Sequence, residues 1–222
     1  MELAQLAVFV RPPTTGAAKT RLATLFGERG AAELYRAFVE DTLRICSRVR
    51  AAGAVDVALW SAGSDAIVSE WAERLGTSPR LQPEGDLGVR LATAFAEGLR
   101  RYQRVVIIGS DMPTLPIELI GAAFESLENK TMMLGPAHDG GYYAIGASDR
   151  RQPSFDGVRW STPNAFADTV SANAQRSVAI IPPWYDIDEP DDLAVLRAHL
   201  SVDAASAPAT ARCLAELDRP QR

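Results

Sequence analysis

The chain has 222 residues, a mass of 23.9 kDa and a hydrophobic content of 47%, so it can bury the core of an ordinary globular protein. Its 23 basic and 28 acidic residues give a net charge of −5, which argues against a protein that holds nucleic acid on a positive surface. Its apolar runs are much shorter than the roughly 20 residues that cross a bilayer, so we expect no membrane span.

The N-terminus and the cysteines indicate the compartment. The first apolar run follows Glu2 and ends at Arg11, without the basic segment of a secretory signal. Cys46 and Cys213 are too few for a disulfide framework, and neither lies in a motif, so both are interpreted as non-catalytic. We therefore expect a protein of the reducing cytoplasm.

Strand-like apolar runs alternate with segments of helical spacing along the chain. This alternation predicts one α/β sandwich with a mostly parallel sheet over residues 1–200, followed by a partly helical tail over 201–222. In chain order, the predicted elements are strand 3–10, helix 28–49, strand 55–60, helix 65–75, an extended piece near 81, helix 87–102, strand 105–108, helix 117–127, strands 132–134 and 142–145, helix 163–174, strand 178–181 and helix 190–200.

Ligands of such sheets bind outside the carboxyl ends of the strands, which directs attention to the loops after Val10, Ile108 and Ile181. The first of these loops carries Gly16, Lys19 and Arg21. Glycine allows such a loop to bend so that its N–H groups point toward a phosphate, and nearby cations neutralise the charge of the phosphate. The alternative is an ordinary solvated loop, because the order of a P-loop or a dinucleotide motif is missing.

Acidic residues follow the strands at 105–108 and 178–181. Asp111 is suited to hold a divalent cation, or else to cap the next helix. Asp186 and Asp188 alternate, so an extended backbone would point both toward a metal, unless they cap a helix or lie in a solvated loop. Asp191 and Asp192 are most simply interpreted as acids at a helix N-terminus.

The segment 135–143 has two interpretations. Asp139 and Gly140 between strand-like runs predict a hairpin turn, while Gly140 and Gly141 could equally let a substrate approach the backbone, with Asp139, Tyr142 and Tyr143 as polar contacts. With His138 as one of only two histidines, a histidine-based metal site or triad is not supported. The sequence at 160–162, Trp160, Ser161 and Thr162, fits either a substrate-lining turn or a tryptophan beside a helix cap.

Several ordered blocks together resemble a known family. They are Arg-Pro-Pro-x-x-Gly-x-x-Lys-Thr-Arg-Leu at 11–22, Gly-Asp-Leu-Gly-x-Arg at 85–90, Ile-Gly-Ser-Asp-x-Pro at 108–113, Gly-Pro-x-x-Asp-Gly-Gly-Tyr-Tyr at 135–143, Trp-Ser-Thr at 160–162 and Asp-x-Asp-x-Pro-x-Asp-Leu at 186–193. The chain is similar over residues 1–200 to an uncharacterised bacterial family of glycosyltransferase-A (GT-A) type. That family is related to the 2-phospholactate guanylyltransferases and the nucleotide-diphospho-sugar transferase superfamily.

The resemblance implies a Rossmann-like GT-A fold, a three-layer α/β/α sandwich with a mostly parallel mixed sheet. It also implies a nucleotide over the first strands and Mg²⁺ or Mn²⁺ on acidic residues. The opening loop differs from the broad sugar-nucleotidyltransferase pattern, since it has prolines where that pattern has a Gly-rich phosphate loop. The implied roles are nucleotide binding by Arg11, Gly16, Lys19, Arg21, Gly85, Asp86, Gly88 and Arg90; catalysis by Lys19, Arg21 and Asp111; metal binding by Asp111, Asp186 and Asp188; and acceptor binding by Asp139, Gly140, Gly141, Tyr142, Trp160, Ser161 and Thr162.

Three functional hypotheses follow. The first is a magnesium-dependent nucleotidyltransferase that moves NMP from an NTP to a small phosphorylated or carboxylate acceptor and releases pyrophosphate. The second is a glycosyltransferase that uses a nucleotide-sugar, and the third is a nucleotide-binding protein without catalysis. All three imply a nucleotide partner, and the two enzymes also need a small acceptor; the oligomeric state, a homodimer included, is left open.

Overall fold

The computed structural model describes residues 4–148 and 152–219, so residue 3 of the first predicted strand and residues 220–222 of the predicted tail lie outside the described residues. The described strands are β1 (Ala4–Val10), β2 (Val55–Ser61), β3 (Arg80–Leu81), β4 (Arg104–Ile108), β5 (Met132–Pro136), β6 (Tyr142–Ala147) and β7 (Val178–Ile180). They form one sheet in the order β3-β2-β1-β4-β6-β5-β7. In it β6 runs antiparallel to both of its neighbours, β4 and β5, and the remaining described pairings are parallel.

Helices cover both faces of this sheet and complete the three-layer sandwich predicted from the sequence. The described helices are α1 (Ala23–Ala51), α2 (Ala66–Arg74), α3 (Leu87–Gly98), α4 (Ile117–Ser126), α5 (Ala165–Ala172), α6 (Asp192–Val202) and α7 (Pro208–Leu217). Helices α3 and α5 pack on one face, and the other five pack on the opposite face.

The central strand β1 shows why both faces are covered. Successive side chains of a strand point to opposite faces, so Leu6 and Val8 enter the core beneath α1 while Ala7 enters the core beneath α3. All three side chains are fully buried. An uninterrupted apolar run is the sequence signature of such a strand, and it predicted β1 and β4 correctly.

Several helix boundaries differ from the predicted ones by a few residues, and α5 is two residues shorter at each end. Helix α1 begins at Ala23 but is broken at Gly27, where φ is 68°, so its regular part matches the predicted start at 28. Helix α3 ends at Gly98 because residues 99–102 turn back on its last carbonyl groups. Helix α6 begins at Asp192, not at Pro190, since residues 189–191 form turns that precede it.

The segment after residue 200 contains the helix expected near Leu214. Helix α7 packs against α1, and its first turn is fixed by Asp41 of α1. The Asp41 carboxylate accepts hydrogen bonds from the N–H groups of Ala209, at 3.1 Å, and Thr210, at 2.8 Å. A side chain of one helix therefore satisfies free N–H groups at the start of another. In the described part of the chain, no helix is both long and apolar enough to span a bilayer.

Candidate functional site

Two adjoining cavities open at the carboxyl ends of β1 and β4. The smaller, of about 250 Å³, is here called the apolar cavity, and the larger, of about 560 Å³, the charged cavity. Arg11, Tyr35 and Asp111 line both of them. Because β1 and β4 are parallel neighbours, the loops that follow them meet at one edge of the sheet, as the sequence predicted.

The apolar cavity combines a hydrophobic wall with several polar side chains, among them the pair of Gln82 and Arg90. The amide nitrogen of Gln82 donates to the main-chain oxygens of Val10, at 3.2 Å, and Trp60, at 3.0 Å. The Gln82 amide oxygen is left to accept from Arg90, at 3.4 Å. This pattern fixes which way the amide faces. Besides Tyr35, the hydrophobic and aromatic part of the lining consists of Phe9, Val10, Ala62, Leu87, Leu91, Ile107, Ile108, Met112, Tyr142, Tyr143, Ala144 and Ile145.

The charged cavity is built around Lys19. Its ammonium group forms ion pairs with Asp111, at 2.5 Å, and with Asp188. The Lys19 side chain is only 5% exposed, whereas the side chains of Asp111 and Asp188 are 38% and 45% exposed. Burial alone would lower the pKa of Lys19, but the charges and hydrogen bonds of the two carboxylates outweigh it and raise that pKa above 10.5.

Asp111 does not cap a helix, which removes the structural alternative considered for it. Helix α4 begins after Pro116 without any side-chain cap, and the carboxylate of Asp111 pairs with Lys19 instead. Lys19 itself has a φ of 48°, in the left-handed region that is unusual for a side chain larger than glycine. Its ammonium lies 5.8 Å from the ring centre of the buried Phe38.

Asp186 and Asp188 both reach the site, but each lines a different cavity. Asp186 lines the apolar cavity and Asp188 the charged one. Burial, together with the charges of Asp139, Asp188 and Asp111, raises the pKa of Asp186 to about 6. Asp186 is therefore close enough to the other three carboxylates to be affected by their charge.

The residues present fit a divalent cation bound by two carboxylates. Among residues 4–148 and 152–219, no three side chains of Asp, Glu, His or Cys are grouped closely enough to enclose a metal ion. Asp111 and Asp188 do hold a cation between them, namely the ammonium of Lys19. Mg²⁺ is commonly held by one or two carboxylates together with water and substrate phosphates, so this donor set suits it.

The first loop carries three more residues predicted to bind the nucleotide. They lie at the edge of the charged cavity or at the turn of the loop. Arg21 lines the charged cavity, and its exposed guanidinium pairs with Glu189 at 2.9 Å. Gly16 has a φ of 76°, and a Cβ there would lie 3.2 Å from the Glu28 carboxylate, so glycine suits this turn. Arg11 is exposed and lines both cavities.

Tyr35 was not among the predicted site residues, yet it joins the two site loops. Its hydroxyl oxygen accepts a hydrogen bond from the N–H of Arg11, at 3.0 Å, and lies 2.9 Å from the hydroxyl of Ser110. Burial raises the pKa of Tyr35 to about 12, and the nearby charge of Asp111 contributes in the same direction. Its position on the apolar stripe of α1 made it look like an ordinary core residue.

The predicted hairpin is present and carries Asp139 to the charged cavity. Strands β5 and β6 pair antiparallel, and Asp139 accepts a hydrogen bond from the N–H of Gly141 at 2.8 Å. Gly140 has a φ of 87°, and a Cβ on it would lie 2.3 Å from the main-chain oxygen of Pro163. Glycine is required there because the hairpin and the loop at 159–163 are in backbone contact.

That second loop brings Ser161 and Thr162 to the charged cavity. Arg159, at the start of the loop, makes a two-pronged ion pair with Asp168 of α5, at 2.8 and 2.9 Å. Such paired hydrogen bonds fix geometry as well as charge. Ser161 adopts a φ of 58°, so the turn is sharply bent at this residue.

Four predicted site residues, Gly85, Asp86, Gly88 and Trp160, line neither of the two cavities. Asp86 caps α3 by accepting from the N–H of Val89 at 2.9 Å, and Gly85 supports the turn before it with a φ of 124°. Gly88 is packed against Trp160, whose ring would lie 3.1 Å from a Cβ on that glycine. In the described part of the chain, the lining of both cavities leaves out these four residues, whereas Arg90 of the same block does line the apolar cavity.

Asp192 corrects one structural interpretation. Asp192 lies in the first turn of α6 as predicted, but its carboxylate accepts from the N–H groups of Asp188, at 2.9 Å, and Glu189, at 2.7 Å, and not from N–H groups of its own helix. Asp191, at the N-cap position, makes no side-chain cap. Asp192 therefore holds the loop that carries Asp188 to the charged cavity.

Comparison with known proteins now adds to this geometry. A family model described as an uncharacterized protein conserved in bacteria (DUF2064) matches residues 42–162. Comparison with curated proteins gives no significant match. The structure of a candidate nucleotide-diphospho-sugar transferase from Desulfovibrio desulfuricans G20 shares 33% identity with the chain, with a TM-score of 0.87 over 98% of this chain and 96% of that one.

Two more distant structures share the fold. A CMP:2-keto-3-deoxy-manno-octonic acid synthetase complexed with CTP is 11% identical, with a TM-score of 0.56 over 90% of this chain and 99% of that one. The protein Rv0371c of Mycobacterium tuberculosis H37Rv, in complex with manganese, is 18% identical, with a TM-score of 0.52 over 86% of this chain and 97% of that one. The GT-A type of fold predicted from the sequence is thereby confirmed.

Proposed function

The chain belongs to the conserved bacterial family DUF2064, and from that premise we propose that it is a nucleotidyltransferase dependent on Mg²⁺ or Mn²⁺. It moves NMP from a nucleoside triphosphate to a small phosphorylated or carboxylate acceptor, with residues 1–200 forming the transferase and 201–222 a C-terminal tail. The observation that carries the proposal is the junction of an apolar cavity with a charged cavity through Arg11, Tyr35 and Asp111.

The two cavities suit the two halves of a nucleotide. The hydrophobic wall of the apolar cavity offers a surface for a base and ribose, and Gln82 and Arg90 supply the few polar groups that fix orientation. The charged cavity offers Arg11, Lys19 and Arg21 to the phosphate chain. Cations that neutralise phosphate charge stabilise both the bound chain and the leaving pyrophosphate.

In the proposed reaction, an oxygen of the acceptor attacks the α-phosphorus of the NTP. The bond between that phosphorus and the bridging oxygen breaks, and pyrophosphate leaves with the bonding electron pair. Catalysis of this kind depends on positioning and on neutralising charge more than on a strong base. A divalent cation on Asp111 and Asp188, with Asp186 nearby, would supply additional charge neutralisation and would orient the phosphate oxygens.

The acceptor would lie on the hairpin side of the charged cavity. Asp139, Ser161 and Thr162 line that side, and Gly140 and Gly141 form the turn that positions Asp139. Of the other residues expected to bind the acceptor, Tyr142 lines the apolar cavity, and Trp160 packs against Gly88 and lines neither cavity.

A glycosyltransferase is the second candidate function. It is favoured by the 33% identical structure from Desulfovibrio desulfuricans G20, which is described as a candidate nucleotide-diphospho-sugar transferase. In that case a nucleotide-sugar would occupy the same cavities. An acceptor hydroxyl would attack the sugar carbon and lose its proton to solvent, while the bond from that carbon to the diphosphate would break and the nucleoside diphosphate would leave with the bonding electron pair.

Pyrophosphate measurement separates the two functions. The protein is incubated with each NTP, Mg²⁺ or Mn²⁺ and a panel of phosphorylated and carboxylate acids. Acceptor-dependent release of pyrophosphate supports the nucleotidyltransferase. Hydrolysis or transfer of a nucleotide-sugar without pyrophosphate would instead support the glycosyltransferase. If no NTP or nucleotide-sugar with metal raises the melting temperature, every nucleotide-based function is contradicted.

A further inference from the structure

The ammonium group of Lys19 occupies the point between Asp111 and Asp188 where the proposed function needs a divalent cation. We propose that the ammonium and the divalent cation compete for these two carboxylates, so that the cation alone binds weakly and binds tightly only together with a phosphate chain. This inference rests on the proposed function, because that function is the reason to expect a cation here.

The side chain of Lys19 is held in place by its surroundings. It is 5% exposed and pairs with one oxygen of each carboxylate, while the face of Phe38 lies on another side of the ammonium. A buried ammonium that lost both partners would be strongly destabilised. The two carboxylates therefore have one cation already, and that cation is itself largely shielded from water.

A second cation on the same carboxylates meets two obstacles. It must share or replace the contacts that Asp111 and Asp188 make with Lys19, and it is repelled by the ammonium at short range. The phosphate chain of a nucleotide removes both obstacles. Its oxygens complete the coordination of the cation, and its negative charge gives the Lys19 ammonium an alternative partner within the charged cavity.

Removal of the ammonium should therefore tighten binding of the metal alone. We expect Lys19→Met to bind Mn²⁺ at least about tenfold more tightly than the wild type in the absence of nucleotide, because the competing charge is gone. The binding constant is measured by electron paramagnetic resonance of free Mn²⁺, and thermal unfolding followed by circular dichroism confirms that the variant is folded. An affinity equal to or weaker than that of the wild type would overturn the inference.

Arg21→Met is the matched control for this measurement. Arg21 is a cation of the same loop, but its side chain is 67% exposed and pairs with Glu189 instead of Asp111 or Asp188. Loss of its charge should change Mn²⁺ affinity less than about twofold, since exposed charges are screened by water and salt. A gain as large as that of Lys19→Met would attribute the effect to net charge and contradict competition at the carboxylates.

The wild-type protein offers a second test, because the chain contains only two lysines, Lys19 and Lys130. Lys130 is exposed and serves as an internal reference. Under trace acetylation with an N-hydroxysuccinimide ester, Lys19 should react far more slowly than Lys130. With Mn²⁺ at saturation, the ratio of Lys19 to Lys130 acetylation, read by peptide mass spectrometry, should rise at least about fivefold, because the displaced ammonium becomes accessible.

The outcomes separate this inference from the proposed function. An acetylation ratio that stays constant while Mn²⁺ is bound overturns the competition and leaves the nucleotidyltransferase proposal standing. Absence of Mn²⁺ binding in wild type and Lys19→Met, with and without each NTP, contradicts both. Tighter binding in Lys19→Met together with the rise in Lys19 acetylation supports the competition even where no acceptor has been found.

Discussion

Tyr35 and Ser110 lie 2.9 Å apart through their hydroxyl oxygens, and this contact joins helix α1 to the loop that carries Asp111. The same tyrosine oxygen accepts the N–H of Arg11, so one side chain fixes the loops after β1 and β4 relative to each other. Tyr35 is thus a positioning residue for groups on both sides of the site.

Tyr35→Phe should reduce catalytic activity more than it reduces the stability of the fold. The ring stays buried, but the N–H of Arg11 and the hydroxyl of Ser110 lose a partner, at a cost of about 1–2 kcal/mol in the free energy of unfolding. We expect kcat for pyrophosphate release to fall while KM for the NTP changes less. Urea denaturation and steady-state kinetics measure the two effects.

Tyr102→Phe provides the control for that variant. It removes a hydrogen bond to Asp56, of 2.5 Å, that lies away from both cavities. It should cost a similar free energy of unfolding and leave kcat unchanged. Equal kinetic losses in the two variants would show that Tyr35 acts only through stability.

Asp111→Ala should lower turnover at least about 100-fold, because one of the two carboxylates proposed to hold the cation is lost. The fold should persist, since the side chain of Asp111 is 38% exposed and caps no helix. Pyrophosphate release and circular dichroism test this, with Asp218→Asn as a control that only breaks the surface ion pair with Arg197. Wild-type turnover in Asp111→Ala would remove Asp111 from the site.

Gly140→Ala should destabilise the protein by about 2–4 kcal/mol, because the new Cβ would meet the backbone of Pro163 and the residue would keep a positive φ. Gly157→Ala isolates the second effect, since Gly157 has a φ of 73° but has nothing within 4 Å of an added Cβ. It should cost only about 1–2 kcal/mol. Chemical denaturation of both variants gives the difference, and equal losses would show that the hairpin can move away from Pro163.

The two thiols should react slowly with Ellman's reagent in the folded protein. Burial raises the pKa of Cys46 to about 12 and that of Cys213 to about 11, so little thiolate forms at pH 8. Cys213 is partly exposed and should react first, while Cys46 should react only on unfolding. Rapid modification of Cys46 in the native state would contradict its placement in the core.

The Arg159 and Asp168 pair should make stability depend on pH in the acid range. Hydrogen bonds from Arg159 lower the pKa of Asp168 from 3.8 to about 2, so the ionised form is favoured in the folded protein. Its contribution is present above pH 3.8 and is lost as the pH falls toward 2. The difference in unfolding free energy between wild type and Asp168→Asn should shrink over this window, and a constant difference would contradict the pair.

The sheet was largely predictable, because the buried strands β1 and β4 are continuous apolar runs whose pattern needs no tertiary information. The loops after these strands could also be predicted as the site from the rule for parallel sheets. The boundary of α6 was not predictable, since Asp192 bonds backward to the loop at 188–189 instead of forward into its own helix. Pro190 favoured an earlier start of this helix in the prediction, because proline is common in the first turn of a helix.

The pairing inside the site could not be inferred from local sequence. Lys19 and Asp188 are 169 positions apart, and nothing near either residue indicates that one neutralises the other. Lys19 and Asp111 were both predicted as site residues, for phosphate and for metal, but their direct contact depends on how the loops fold together. Tyr35 was not predicted as a site residue, because its place on the apolar face of α1 was fully explained by packing in the core.

The hydrogen bonds between Asp41 and the first turn of α7 make helix α1 depend on a segment far along the chain. Asp41 is 1% exposed, and its partners Ala209 and Thr210 come 168 and 169 residues later. Within α1, Arg44 approaches this carboxylate at 3.9 Å, and the two N–H groups of α7 supply its hydrogen bonds. A cut before residue 208 would therefore remove the hydrogen-bond donors of an acid buried in α1, and would destabilise α1 as well as remove α7.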